Sequence, residues 1–384
     1  MKKMWGFSLI FVLIFSFIFT ITVSAAEPIS QKELPVSAPS AVLMEKETGE
    51  ILYEKAADER RAPASITKIM TLLLIAEDIE SGRLSADDTV SVSRRAASFG
   101  GSCVFLEEGE RMSVDDMLKC IAVVSANDCA VAMAEHLSGT EQLFVDRMNE
   151  RAGELGLENT HFVNCTGLFD EKEQYTTARD VALLSRELLR HDMIKKYTTI
   201  WMDSIRDGEF ELANTNKLVS RYEGCTGLKT GYTSGAKYCL SATAERDGVE
   251  FIAVIMGAKD SEQRNSDAAS LLNYGFANFT LCPLRPESPL PRLPVELGRK
   301  RALELYCDGD EYALVRKGGG KAEYSMKLPD SVKAPVAEGQ LIGELRVSDG
   351  TGELAKLPVR AAEAVPGLGF FGIFGRLGGS LLGL

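Results

Sequence analysis

Histidine is scarce in this chain. Three occur in 384 residues (His136, His161 and His191), and only tryptophan, with two, is rarer. None of the three lies in a recognisable catalytic phrase, so a Ser-His-Asp triad is disfavoured and proton transfer falls to another side chain. The eight cysteines contain no CxxC pair, which argues against a zinc site. No metal or organic cofactor is expected. The cysteines are scattered through apolar segments and suit buried thiols at least as well as disulfides, so no pairing is assigned. Positive charge is also short: 43 Lys and Arg face 55 Asp and Glu, for a net charge of −12. That balance disfavours nucleic acid, whose phosphates need a basic surface. No internal repeat is present.

What the chain does have begins with an export signal at 1–26. Lys2 and Lys3 precede an almost wholly apolar run from Trp5 to Val23, and Ala25 and Ala26 offer small-residue cleavage sites. Cleavage there removes two lysines and no acid, taking the net charge from −12 to −14. The run is also near membrane-spanning length, so an uncleaved anchor is the alternative. The first domain is placed at 27–280. Ala41–Met44 and Ile51–Tyr53 read as a hairpin turning at Thr48-Gly49. A helix follows Pro63, with Ser65 near its first turn and Ile69, Leu72, Leu73 and Ala76 on an apolar stripe. Helices are also predicted over 113–137, interrupted around 125–127, and over 144–155, 177–189 (capped by Thr176 or Thr177) and 262–279. Strands are predicted at 238–244 and 251–256, joined by a turn at Arg246-Asp-Gly248.

Prolines cluster from Leu281-Cys-Pro onward, where a second domain is placed at 281–365, and 295–362 carries short alternating strands between Gly and Asp turns, the pattern of a small β domain. The tail, 366–384, has one charge, Arg376, and seven glycines. Phe370, Phe374, Leu377, Leu381 and Leu384 recur at helical spacing. Each glycine costs a helix about 1 kcal/mol relative to alanine, so water alone would not keep this helix folded, whereas a lipid interface could.

Three short strings carry chemistry. Ser65-Ile-Thr-Lys68 puts a hydroxyl and an amine three residues apart at a helix start, about 5–6 Å apart at Cβ. Alone it is weak: a chain this long holds roughly one or two Ser-x-x-Lys strings by chance. A second copy, Ser234–Lys237, contains Gly235 and falls in a strand-and-turn region. The plain alternative for Ser65 is helix capping, with Lys68 solvated. For catalysis, Lys68 must be neutral near pH 7, which burial, the helix N-terminus and a second cation such as Lys229 would all favour. Ser125-Ala-Asn127 supplies a hydroxyl relay and an amide that can hold both Lys68 and a substrate amide, or is simply a polar break between helices. In Lys229-Thr230-Gly231, the glycine clears room for a peptide against a strand, and the lysine and threonine can receive a carboxylate. The ordered set is far more specific than any member.

These strings together resemble the penicillin-binding and serine β-lactamase superfamily, whose triple signature is Ser-x-x-Lys, a Ser-x-Asn and Lys-Thr-Gly. Pro63–Lys68, Thr160–Leu168, Thr177–Asp180 and Lys229–Thr233 are similar to phrases of the low-molecular-weight D-alanyl-D-alanine carboxypeptidases, the sporulation type especially. Tyr232 stands where some members have histidine. The resemblance implies an α/β (α+β) fold: an antiparallel sheet flanked by helices plus a helical lobe, followed by a β-sandwich. It implies removal of the terminal D-alanine from peptidoglycan stem peptides, serving cell shape or the spore wall, with β-lactams as inhibitors, at the outer face of the cytoplasmic membrane or in the cell wall space. Ser65 would be the nucleophile, Lys68 the base and Ser125 the proton relay beside Asn127. N–H groups of Ser65 and Tyr232 would form the oxyanion hole. Lys229, Thr230 and Arg264 would take the terminal carboxylate, with Gly231 and Thr233 completing the strand that lines the site. The plain alternative for Arg264 is a surface helix arginine. His161 is expected to be structural, and Cys225 and Cys239 sit where oxidation would disturb the site. A serine β-lactamase, a D,D-endopeptidase and a catalytically silent wall-binding protein stay open as alternatives.

Overall fold

The computed structural model describes residues 34–168 and 172–373. The signal at 1–26 and the tail residues Phe374, Leu377, Leu381 and Leu384 lie outside them. The chain divides into a larger unit, comprising the described residues up to 283 together with 312–320, and a smaller unit of 284–311 and 321–373.

The larger unit is built on one antiparallel sheet. Its strands are β1 (Ser40–Glu45), β2 (Ile51–Lys55), β3 (Cys225–Thr233), β4 (Lys237–Arg246) and β5 (Val249–Ala258), in the order β2-β1-β5-β4-β3. Strict alternation puts different residues on the two faces. Val42 and Met44 of β1 and Ile252, Val254 and Met256 of β5 enter one apolar core, while Ala41, Leu43, Phe251, Ala253 and Ile255 enter another. Helices cover both faces, so these strands read as continuous apolar runs. The β1–β2 turn is tied by the Glu45 carboxylate, which accepts from Thr48 N at 2.7 Å and Glu47 N at 2.9 Å.

The longer helices are α1 (Lys68–Glu80), α2 (Val114–Val123), α3 (Asn127–Ser138), α4 (Glu141–Glu154), α5 (Ala178–Leu188) and α6 (Ser261–Asn278). Helix α6 contributes Ala268, Leu271, Leu272 and Phe276 to the second core. Helices α1 to α5 supply most of the first. Thr177, not Thr176, caps α5, its Oγ1 accepting from Asp180 N at 3.1 Å. Helix α4 starts three residues before the predicted 144, because Thr140 Oγ1 caps it through Leu143 N.

Two boundaries differ in a way that shapes the site. Residues Ala64–Thr67 form a 3-10 turn, and the α-helix begins only at Lys68. Ala64 has φ +48°, which breaks the α-helical path. The predicted interruption near 125 is a sharp turn between α2 and α3, with Ser125 at φ +65°.

The prolines do not mark a simple exit from the first fold. Phe279–Pro283 pairs antiparallel with Tyr312–Arg316, and Leu314 joins Phe279 in the second core. In the smaller unit, Leu305–Cys307, Gly352–Ala361, Leu341–Asp349 and Glu323–Lys327 form one sheet. Ala302–Leu303, Leu293–Glu296 and Val332–Lys333 form another. Leu293, Val295 and Leu303 of one sheet pack with Ala361 of the other around Val336 and Val365, the side-chain arrangement of a small sandwich.

Candidate active site

The site is centred on the 3-10 turn. Ser65 precedes Lys68, which is fully buried as the first residue of α1. Lys68 Nζ donates to Asn127 Oδ1 at 2.5 Å and to the Thr166 carbonyl at 2.7 Å, and lies 3.2 Å from Ser65 Oγ. Among the described residues no carboxylate lies within hydrogen-bonding distance of the amine. Burial lowers its pKa from the usual 10.5 to about 7, outweighing the more distant Asp128. A neutral Lys68 beside a serine hydroxyl is the electronic requirement for a lysine base.

Each partner is itself held. Asn127 N donates to Ser102 O at 2.7 Å and Asn127 Nδ2 to Gly100 O at 2.8 Å, so the amide oxygen is turned to Lys68. Thr166 sits in a turn folded on Asn164, whose Oδ1 accepts from Thr166 N at 3.1 Å and Gly167 N at 2.6 Å. Gly167 is required there: at φ +72°, a Cβ would lie 1.7 Å from the Ala64 carbonyl oxygen. Gln174 Nε2 reaches Thr67 Oγ1 at 3.0 Å and Thr71 Oγ1 reaches Cys165 O at 2.8 Å, fixing the turn from behind. Asn164, Thr166 and Gln174 lie in or near the phrase at 160–168, yet nothing in their spacing singled them out.

Ser125 Oγ is buried and has no hydrogen-bond partner among the described residues. An orphaned buried hydroxyl calls for a ligand or a proton to handle.

Strand β3 is an edge strand, paired with β4 alone. A Cβ on Gly231 would meet Pro63 O at 3.0 Å and Ile66 N at 3.1 Å, so the strand and the serine turn approach as closely as backbones allow. Lys229 is 1% exposed, with Nζ on the Thr230 carbonyl at 3.1 Å. Burial, then the charges of Lys68 and Arg264, hold its pKa well below the usual value. Thr230 Oγ1 meets Thr215 Oγ1 at 2.7 Å, and Thr215 is a neighbour that no sequence signal marked. Arg264, near the start of α6, is 5% exposed, so it is no surface arginine. Its guanidinium lies 6.0 Å from the centroid of Tyr238, which packs at 4.4 Å against Tyr232. Tyr232 is 55% exposed, and Thr233 Oγ1 accepts from Ala236 N in the turn after β3. That turn contains Ser234–Lys237, so the second Ser-x-x-Lys string joins two strands and lies on no helix.

All eight cysteines are free. Burial pushes the Cys225 and Cys239 thiols up to about 11, leaving both protonated at neutral pH. His161 bridges to Tyr175 in a short ladder, and its Nδ1 meets Glu173 O at 2.8 Å. Among the described residues no group of three or more His, Cys, Asp or Glu is placed to hold a metal ion.

A buried lysine between a serine and an asparagine, facing an edge strand with a second buried lysine, is an acyl-transfer arrangement. The family model described as D-alanyl-D-alanine carboxypeptidase (peptidase S11) matches residues 25–260. The chain belongs to the D-alanyl-D-alanine carboxypeptidase family. A second model, the C-terminal domain of penicillin-binding protein 5, matches 288–367. The carboxypeptidase DacF of Bacillus subtilis is 42% identical, with 88% of each chain covered. The structure of penicillin-binding protein 5 from Haemophilus influenzae superposes with a TM-score of 0.75 at 29% identity, over 89% of this chain and all of that one. Penicillin-binding protein D2 of Listeria monocytogenes, solved with ampicillin bound, covers 63% of this chain at 33% identity and a TM-score of 0.58. Carboxypeptidases of this family act on D-Ala-D-Ala peptidoglycan peptides and bind β-lactams, and they work in the periplasm or cell wall. The chain is therefore a hydrolase of the penicillin-binding class.

Proposed function

We propose that Ser65 is the acylated nucleophile of this carboxypeptidase, with Lys68 as its base. The observation that carries the reading is the buried Lys68 amine, 3.2 Å from Ser65 Oγ, with a pKa of about 7. Neutral Lys68 takes the Ser65 proton as Oγ attacks the carbonyl carbon of the penultimate D-alanine. The Ser65 and Tyr232 N–H groups receive the oxyanion. Ser125, whose hydroxyl is uncommitted, passes a proton to the departing D-alanine amine as the C–N bond breaks. Lys68 hands the Ser65 proton on to Ser125 and is neutral again; it then takes a proton from the water that cleaves the ester and returns it to Ser65 Oγ. Lys229, Thr230 and Arg264 take the substrate's terminal carboxylate. The substrate backbone adds to the free edge of β3, with Gly231 leaving room and Tyr232 and Thr233 lining the strand beyond it.

The same serine is open to β-lactams, as the ampicillin complex of the Listeria relative supports. The test is intact-mass spectrometry with and without benzylpenicillin on wild type and Ser65→Ala. One adduct on wild type and none on the variant is expected. No adduct on folded wild type would overturn the reading, and rapid penicillin turnover would favour a β-lactamase.

The chain acts outside the cytoplasmic membrane on this reading, held at the lipid surface by 366–384. No helix among the described residues is long and apolar enough to cross a membrane. Phe370 and Phe371, the first aromatics of the tail, are 71% and 87% exposed. Flotation with anionic vesicles tests the anchor: loss of binding on deleting the tail is expected, and unchanged binding would remove it.

A further inference from the structure

Phe105 is the most solvent-exposed aromatic among the described residues of the larger unit, at 74%, between two buried neighbours, Val104 and Leu106. It also has φ +56°, a conformation that a bulky residue without a functional reason rarely keeps. The surrounding contacts impose that geometry. Val104 N and Leu106 N both donate to Asp128 Oδ2, at 3.0 and 3.2 Å. Arg206 donates to the Val104 and Phe105 carbonyls at 2.9 and 3.3 Å and is anchored on Glu110. Phe210 meets the ring edge-on at 6.3 Å.

Two chain segments meet at this pair, and both lead into the active site. Gly100 O and Ser102 O accept from Asn127, and Asp128, which holds the Phe105 turn, is the next residue. Phe210 lies on the hairpin Met202–Ile205 and Phe210–Ala213, which continues two residues on to Thr215, the partner of Thr230. Three residues of chain span at most about 10 Å, so the Phe105 backbone stays within that reach of the Ser102 carbonyl. An extended peptide crosses the same distance in about three residues.

We infer that Phe105, backed by Phe210, is a specificity-determining shelf for the donor arm of the peptide substrate, the residues upstream of the D-Ala-D-Ala pair. An aliphatic side chain two or three residues before the scissile bond covers the ring. This rests on the carboxypeptidase reading of the Ser65 site, and it explains why a strained turn is tied to the residue after Asn127. Short acylated D-Ala-D-Ala does not reach the shelf, whereas a full stem pentapeptide does.

The experiment measures kcat and KM for N-acetyl-D-Ala-D-Ala and for a stem pentapeptide. It uses the full chain as wild type, Phe105→Asn and Phe105→Tyr. Asparagine tolerates φ near +56° and so keeps the turn while removing the ring. Phe105→Gly repeats the loss on a second relaxed backbone. Wild type should prefer the pentapeptide. Phe105→Asn and Phe105→Gly should raise its KM about 10-fold with little change in kcat, the size of one lost aromatic contact, and Phe105→Tyr should keep the preference. An unchanged ratio of kcat/KM for the two peptides in the ring-less variants, or no preference in wild type, overturns the shelf. Failure of wild type to cleave either peptide overturns the carboxypeptidase reading instead.

Discussion

Asn127 Oδ1 lies 2.5 Å from Lys68 Nζ, although 59 residues separate them in sequence. The asparagine oxygen carries no net charge, so it orients the amine without raising its proton affinity as a carboxylate would. Replacing Asn127 by Ala should slow acylation by benzylpenicillin about 10²–10³-fold with the chain still folded, as loss of one preorganised polar group in a dry site does. Stopped-flow acylation kinetics measure it, and a change under tenfold would count against the role.

As the proposed base, Lys68 would set the pH dependence of acylation. With a folded pKa of about 7, the neutral base is scarce at pH 6 and dominant at pH 8. Acylation kcat/KM should therefore rise through about pH 7 and level off. A profile flat from pH 5 to 8 would remove Lys68 as the base.

The same shift has a stability sign. Folding lowers the pKa, so between about 7 and 10.5 the unfolded chain holds a proton that the native chain has lost. The lysine's contribution improves as pH rises through that window, and below about pH 7 the full cost of burying the cation applies. Lys68→Met should be more stable than wild type at pH 6, with the gap narrowing by pH 9. Urea midpoints at the two pH values decide it.

Gly167→Ala tests the serine turn from outside. Its Cβ would stand 1.7 Å from Ala64 O, so the turn must move. A destabilisation of about 1–3 kcal/mol is expected from the strained φ and overpacking. Acylation should fall further than stability, because Ala64 adjoins Ser65. Equal Tm and equal acylation would show that the turn is free to give.

Thr215→Val keeps the side-chain shape and deletes the hydroxyl beside Thr230. Thr230 is then left to orient itself, and KM for D-Ala-D-Ala peptides should rise about 10-fold while kcat changes little, the loss of about one hydrogen bond. Steady-state kinetics separate the two constants.

Much of this was legible in the sequence, and the limits are physical. Residues 41–44 and 251–256 read as strands from their continuous apolar runs, and the two-residue period of the pleat sends alternate residues into the two cores. Ser65, Lys68, Asn127 and Lys229 stood out because their strings are short and ordered. The 3-10 turn did not: it arises from Ala64 pressed against Gly167, a contact about 100 residues distant. Thr215 was silent because an isolated threonine carries no pattern. The strand at 312–316 was hidden because its partner, 279–283, ends in the proline-containing stretch that reads as a break. Phe105 was silent too, since sequence does not show a positive φ.

The edge strand, the serine turn and the Ser125 corner come from chain positions near 230, 65 and 125, and burial among them holds the Lys68 pKa down to about 7. A chain with one of these pieces displaced keeps its serine but loses its base. If Ser65 is the acylated nucleophile, covalently trapped penicillin would be a head-count of molecules that have completed folding, readable on a gel in a crude mixture, with misfolded chains left dark.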